Sequence, residues 1–155
     1  MKVTGENGLG DLLKGFLQIC FYLGVFILLI LPFALKPFGL SLGASVFVIY
    51  PNGIVLLMIA NQFIKLFDSL KNNKPFCENN VKILKKTGII AFSGAWLWMI
   101  DLLYEVFLAK TANIIFYIAM IFLFVLYIGV SIALYILSEL FKQATEYKEE
   151  NELTI

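Results

Sequence analysis

Histidine and arginine are absent from the chain, and only two cysteines occur in its 155 residues. The lack of histidine removes the commonest general base and metal ligand. All basic residues are therefore lysines, twelve against eleven acids, and the net charge of +1 supplies no basic field that would suggest nucleic acid. Cys20 lies in an apolar run and Cys77 in a lysine-rich loop, so a disulfide between them is not expected. A thiolate nucleophile needs an activating base nearby, and no imidazole exists to serve. No motif for a nucleotide, haem, flavin or structural metal occurs. The sequence accordingly assigns no catalytic residue, no metal ligand and no cofactor, and the expectation is a non-enzymatic protein.

What is present is hydrophobicity. Apolar residues make up 61% of the chain and the mean hydropathy is +0.89, against about half apolar for a soluble domain. They come in long unbroken runs. Crossing a bilayer takes about 20 apolar residues in a helix, and four stretches qualify: 16–35, 44–64, 88–108 and 113–137. The second contains Pro51-Asn52-Gly53. A helix starting at Pro51 would be too short to span, so one span with a kink or irregular turn at Pro51 is expected. The fold class read from this pattern is all-α: a single domain over 1–155, built as an antiparallel bundle of four transmembrane helices. The connections around 36–43 and 109–112 are short, which makes successive helices antiparallel neighbours. Gly39 and Gly43, and the stripe Gly88, Ala91 and Ala95, offer small side chains for close helix packing.

Lysines orient the chain. Lys2, Lys14, Lys65, Lys71, Lys74, Lys82, Lys85, Lys86, Lys142 and Lys148 fall on one side of the four spans, and only Lys36 and Lys110 on the other. The positive-inside rule then puts both termini and the middle loop in the cytosol of a cell whose inner membrane holds the protein. Lys82, Lys85 and Lys86 are expected among lipid headgroups, each attracted to an anionic leaflet by about 1 kcal/mol.

Two acids, Asp101 and Glu105, sit inside the third span. A charged Asp at mid-span costs about 2.5 to 3.5 kcal/mol on insertion scales. Residues four apart share a helix face, so both carboxyls point the same way and need partners. Asn52, Tyr50 and Tyr117 lie at similar depth, Asn113 is also in the outer half, and Lys36 and Lys110 lie at the rim. The expectation is an intramembrane polar pocket, open to the outside, around Asp101, Glu105, Asn52, Tyr50 and Tyr117. It has three readings: a structural hydrogen-bonded network, an ion or proton site, or a site for an external small molecule or peptide.

On the lysine-rich side, Phe63, Phe67 and Leu70 continue an apolar stripe beyond span two. Leu137, Leu140, Phe141 and Ala144 repeat at helical spacing beyond span four. The last helix is expected to run to about Tyr147, so that 138–155 forms a helical extension and tail. Its stripe needs a neighbour: the end of helix two, a separate protein, or lipid. Phe67, Leu70, Leu140, Phe141 and Ile155 are the candidate partner contacts.

The loop "KNNKPFCENNVKILKKTG" and the tail "ALYILSELFKQATEYKEENELTI" resemble those of a family of small four-span bacterial membrane proteins catalogued as domain of unknown function number 2975. The similarity runs over essentially the whole chain. One departure is Cys77, where the family tends to carry Ser as a helix cap. The resemblance implies a four-helix membrane protein without an established enzymatic activity. Such proteins are often encoded beside a small helix-turn-helix transcription regulator, which implies a cytosolic partner of that type. The reading is thus an integral membrane protein that binds a cytosolic regulator. The competing one is a small oligomeric transport, channel or immunity-type protein that uses Asp101 and Glu105. A purely structural or accessory membrane subunit is the third.

Overall fold

The computed structural model describes residues 9–35, 46–71, 76–109 and 114–153, and among these only Phe76 and Cys77 lie outside helix. Helix α1 covers Leu9–Leu35, α2 Val46–Lys71, α3 Glu78–Tyr104 and α4 Ile114–Leu153. α3 passes directly into a wider π-helical turn, Glu105–Ala109. All four helices are long and apolar enough to cross a membrane. The protein is an all-α, multi-pass membrane protein.

Helix α3 is the central element. It packs against α2 on one side and α4 on another, while α1 contacts α2 alone among the described residues. The sequence of α3 explains this placement. Its buried residues include Asn80, Leu84, Thr87, Ala91, Gly94 and Asp101, separated by four and three residues in alternation up to Gly94 and by seven beyond it. The facing stripe of α4 follows the same rule: Tyr127, Ser131, Leu134 and Ser138 are buried, Phe141 half-buried and Thr145 buried. In α2 it is Asn52, Val55, Gln62 and Leu66. Alternating steps of three and four keep one seam facing a neighbour, as in coiled-coil packing. Because it has neighbours on two sides, α3 also buries Gly88, Ile90 and Ala95.

The residue types on these seams invert the soluble pattern. Lipid is as apolar as leucine, so burying leucine gains little there. Small residues that let backbones approach, and polar ones that would otherwise face hydrocarbon, go inside instead. Leu, Ile and Phe cover the outside: Phe16, Phe26, Leu29, Ile115, Ile118 and Phe122 are all exposed. Gly94 marks the tightest convergence. A Cβ built there would lie 2.6 Å from Tyr127 Cε1 and 2.9 Å from Val55 Cγ1, so a larger residue would meet α4 and α2 at once. Val55, Ile90, Ala95 and Tyr127 form the core at this level. A second cluster, Leu66, Leu84 and Leu134 with Phe63, Leu70 and Phe141 around it, lies nearer the lysine-rich end.

Side-chain contacts hold helix α1 against α2. Leu28 fills the space left by Gly53, where a Cβ would come within 2.7 Å of Leu28 Cδ2. Lys14 forms an ion pair with Asp68 at the lysine-rich end. Helix α2 runs as unbroken α-helix through Pro51, so the irregular turn expected there does not form. Pro51 has no N–H for the Phe47 carbonyl four residues back, so α2 forgoes one helical bond near its start and otherwise keeps its α-helical course.

Helix α4 has 40 residues and is about 60 Å long at 1.5 Å per residue, roughly twice the hydrocarbon thickness. Its end therefore projects beyond the span. The apolar stripe there is divided between two faces. Ser138, Phe141 and Thr145 turn toward the protein, whereas Leu137 and Leu140 remain 39% and 56% exposed.

Candidate functional site

The residues singled out around Asp101 are placed by α2, α3 and α4. Asp101 occupies a seam position of α3 and Asn52 the matching position of the antiparallel α2. Asn52 Nδ2 donates to Asp101 Oδ2 at 3.2 Å, across a contact where both residues are buried, 5% and 8% exposed. A hydrogen bond between helices is one of the few ways to satisfy such groups where no water is at hand. Glu105 follows one turn later, half-buried, at the start of the π-turn. Its backbone N–H is shared between the carbonyls of Asp101 and Leu102, four and three residues back, and the π-helical turn begins at this second acid. Tyr117 is half-buried in the first turn of α4, three residues before the buried Met120. Asn113, Lys36 and Lys110 lie outside the described residues.

Tyr50 does something else. Its hydroxyl donates to the backbone carbonyl of Leu28 in α1 at 3.0 Å. In an α-helix that carbonyl would accept from the N–H four residues on. Residue 32 is proline and has none. Tyr50 thus supplies, from the next helix, the donor that Pro32 withholds. It ties α1 to α2 two residues from Asn52, about 3 Å along the α2 axis, and it is not a partner of the acid.

A third interhelical bond lies nearer the lysine-rich end. Ser131 Oγ of α4 donates to the Gly88 carbonyl of α3 at 2.8 Å. Thr87, Ser138 and Thr145 bond within their own helices to Ile83, Tyr135 and Phe141. These hydroxyls, with the buried Gln62 and Asn80, were not singled out from the sequence. The available signal was their spacing: a polar or small residue every three or four positions inside an otherwise apolar helix.

The candidate partner contacts divide in two. Leu70 and Phe141 are packed against the chain's own Leu66, Leu84 and Leu134, and the Phe141 ring lies 5.5 Å from that of Phe76. Phe67 is half-buried. Leu140 remains open, 56% exposed. Ile155 lies outside the described residues. Cys77, at the start of α3, provides no side-chain cap. The bonds there are from Asn80 N and Val81 N to its carbonyl, at 3.0 and 3.4 Å, and its thiol lies 3.8 Å from Ser69 Oγ. No group of three or more metal-ligating side chains occurs among the described residues.

The arrangement can fix helix register through polar bonds at two depths. No curated protein and no solved structure matches the chain. The family model described as "Protein of unknown function (DUF2975)" matches residues 14–155, which is nearly the whole chain, lysine-rich loop and α4 extension included. Seen with its four membrane-length helices, the chain belongs to the DUF2975 family.

Proposed function

We propose that this protein is a non-enzymatic interaction protein of the bacterial inner membrane, with both termini in the cytosol, where the end of α4 holds a cytosolic regulator. The observation that carries this reading is the exposed apolar surface of the α4 extension. Leu137, Leu140 and Tyr147 are 39%, 56% and 67% exposed on a segment that runs past the span. Exposed apolar groups are unremarkable on the lipid-facing part of a span. On a segment in water they are the kind of surface that a partner covers. Glu139, Glu146, Glu149 and Glu150 outnumber Lys142 and Lys148 on the same extension, and Lys142 lies between Glu139 and Glu146, so the surface is net acidic and a partner with a basic rim around an apolar groove fits it. A small helix-turn-helix regulator is the type expected. The lysine distribution supports the orientation.

The polar pair in the membrane supports a structural role on this reading. Asp101 is buried and bonded to Asn52, which suits a register lock better than an exchanging ion site.

The test compares Leu140→Asp with Asp101→Asn. Phe141→Asp is a poor probe, because Phe141 serves the internal cluster and its loss would disturb the fold. Copurification of a cytosolic regulator from cells, lost with Leu140→Asp and kept with Asp101→Asn, supports tethering. The reverse pattern overturns it and favours the transport reading.

A further inference from the structure

A groove of about 290 Å³ runs along the outer flank of the α3–α4 contact. Its floor is Gly88 and Ser131, both buried, and the floor is closed by the Ser131 hydroxyl bonded to the Gly88 carbonyl. Its walls are Ile89 and Phe92 on α3 and Ile132 and Ile136 on α4, between 48% and 60% exposed. Gly88 lets α4 come close, since a Cβ there would lie 3.3 Å from the Ser131 carbonyl oxygen, and the exposed wall residues stand on either side of this low floor. Tyr135 lines the lysine-rich end, and the Lys85 ammonium lies over its ring, 5.9 Å from the centroid.

The charges around that end are unevenly committed. Lys82 pairs with Glu78 at 2.8 Å, and Lys142 lies between Glu139 and Glu146 at 3.8 and 3.9 Å. Among the described residues no carboxylate pairs with Lys85. A cation held by an aromatic face, with no counter-ion of its own, thus stands at the mouth of an apolar trough. From Lys85 the trough extends to Phe92, about 10 Å along the helix axis, which is the upper part of one acyl chain in a leaflet about 15 Å deep.

The geometry points to a binding site for one anionic phospholipid, its headgroup on Lys85 and the upper part of an acyl chain between Ile89, Phe92, Ile132 and Ile136. The charge at the mouth selects this occupant. A second helix seated in the trough would need no cation there, and a zwitterionic lipid would carry its own. Neither this groove nor the one between α1 and α2, lined by Cys20, Gly24, Leu28, Gly53 and Leu57 among others, has a charged side chain in its lining. What distinguishes the first is Lys85 over the ring of its lining residue Tyr135, and among the described residues no lysine stacks on a ring of the second. The second carries no such selection. The site does not depend on the proposed partner, nor on which side of the membrane the lysine-rich end faces.

The experiment uses the purified full chain in a mild detergent. Native mass spectrometry counts retained lipid after addition of phosphatidylglycerol, phosphatidylcholine or glycerol phosphate. The wild-type chain is expected to retain one phosphatidylglycerol in roughly fivefold preference over phosphatidylcholine, the factor that one surface charge contributes. Lys85→Gln should abolish the preference, and Ile132→Trp, which fills the trough from an exposed position, should abolish retention of the tight lipid. Lys65→Gln, an exposed lysine on α2, should leave both unchanged. Unaltered unfolding midpoints without lipid show that the variants are folded, and Ile89→Trp replaces any that is not. Equal losses with Lys85→Gln and Lys65→Gln would mean diffuse electrostatics and overturn the site. Retention of glycerol phosphate alone, or a concentration-dependent dimer lost with Ile132→Trp, would overturn it as well.

Discussion

Removing the Asn52–Asp101 bond should destabilise the helix assembly by an amount that the structure brackets. The pair is buried on both sides and its N···O distance is 3.2 Å, at the long end of the ordinary range. A neutral hydrogen bond contributes about 0.5 to 1.5 kcal/mol net, and one to a charged group about 1.5 to 3. Interhelical bonds in membranes measure lower, averaging about 0.6 and reaching about 1.7 kcal/mol, because the separated helices find other partners. A coupling of about 1 kcal/mol is therefore expected, a fivefold change in the folded-to-unfolded ratio. Asn52→Leu and Asp101→Leu should each cost about 1 to 3 kcal/mol, since each strands a buried group without this partner. The double variant should cost less than their sum by the coupling. Asp101→Asn keeps a carbonyl oxygen where Asn52 Nδ2 donates, so it should retain most of the stability. The assay is reversible unfolding in mixed detergent, followed by tryptophan fluorescence from Trp96 and Trp98 on α3. Additivity of the two leucine substitutions within about 0.3 kcal/mol, the behaviour of independent sites, would refute the reasoning.

Three further predictions follow from the helix contacts. Tyr50→Phe should lower stability by about 1 kcal/mol, but much less in a Pro32→Ala background, where residue 32 regains an N–H that can serve the Leu28 carbonyl; the same unfolding cycle measures it. Gly94→Ala should cost about 1 to 3 kcal/mol by overpacking, because its Cβ would meet the Tyr127 ring and Val55 together. Gly129→Ala, at a position with nothing within 4 Å, should be neutral or stabilising by up to about 1 kcal/mol.

The four spans and the helical extension were legible because hydropathy and length act on each segment alone. The pairing of Asp101 with Asn52 was legible too, because antiparallel neighbours entering from the same side bring equal depths together. The role of Tyr50 was not. It depends on Pro32, eighteen residues away on another helix, and on the rotation of α1 about its own axis, which no pattern of apolar residues fixes. How the α4 stripe divides was hidden for a related reason. Leu137, Leu140, Phe141 and Ala144 repeat at helical spacing, which left three neighbours open; Phe141 joins the inward seam of Ser131, Leu134, Ser138 and Thr145, Ala144 is half-buried, and Leu137 and Leu140 stay exposed. That seam is set inside the bilayer, where small and polar residues mark the contact, and it keeps its phase as the helix leaves the membrane. The peripheral place of α1 was equally hidden, since its apolar run resembles those of the packed helices.

The account turns on which compartment the lysine-rich end and the α4 extension occupy, and one labelling experiment reads this directly. Glu149→Cys, at an exposed position of the extension, is placed in a chain carrying Cys20→Ser and Cys77→Ser, and intact cells are treated with a membrane-impermeant maleimide. The account predicts labelling only after the inner membrane is permeabilised. Labelling of position 149 in intact cells would contradict it, because the surface assigned to a cytosolic partner would then face outward.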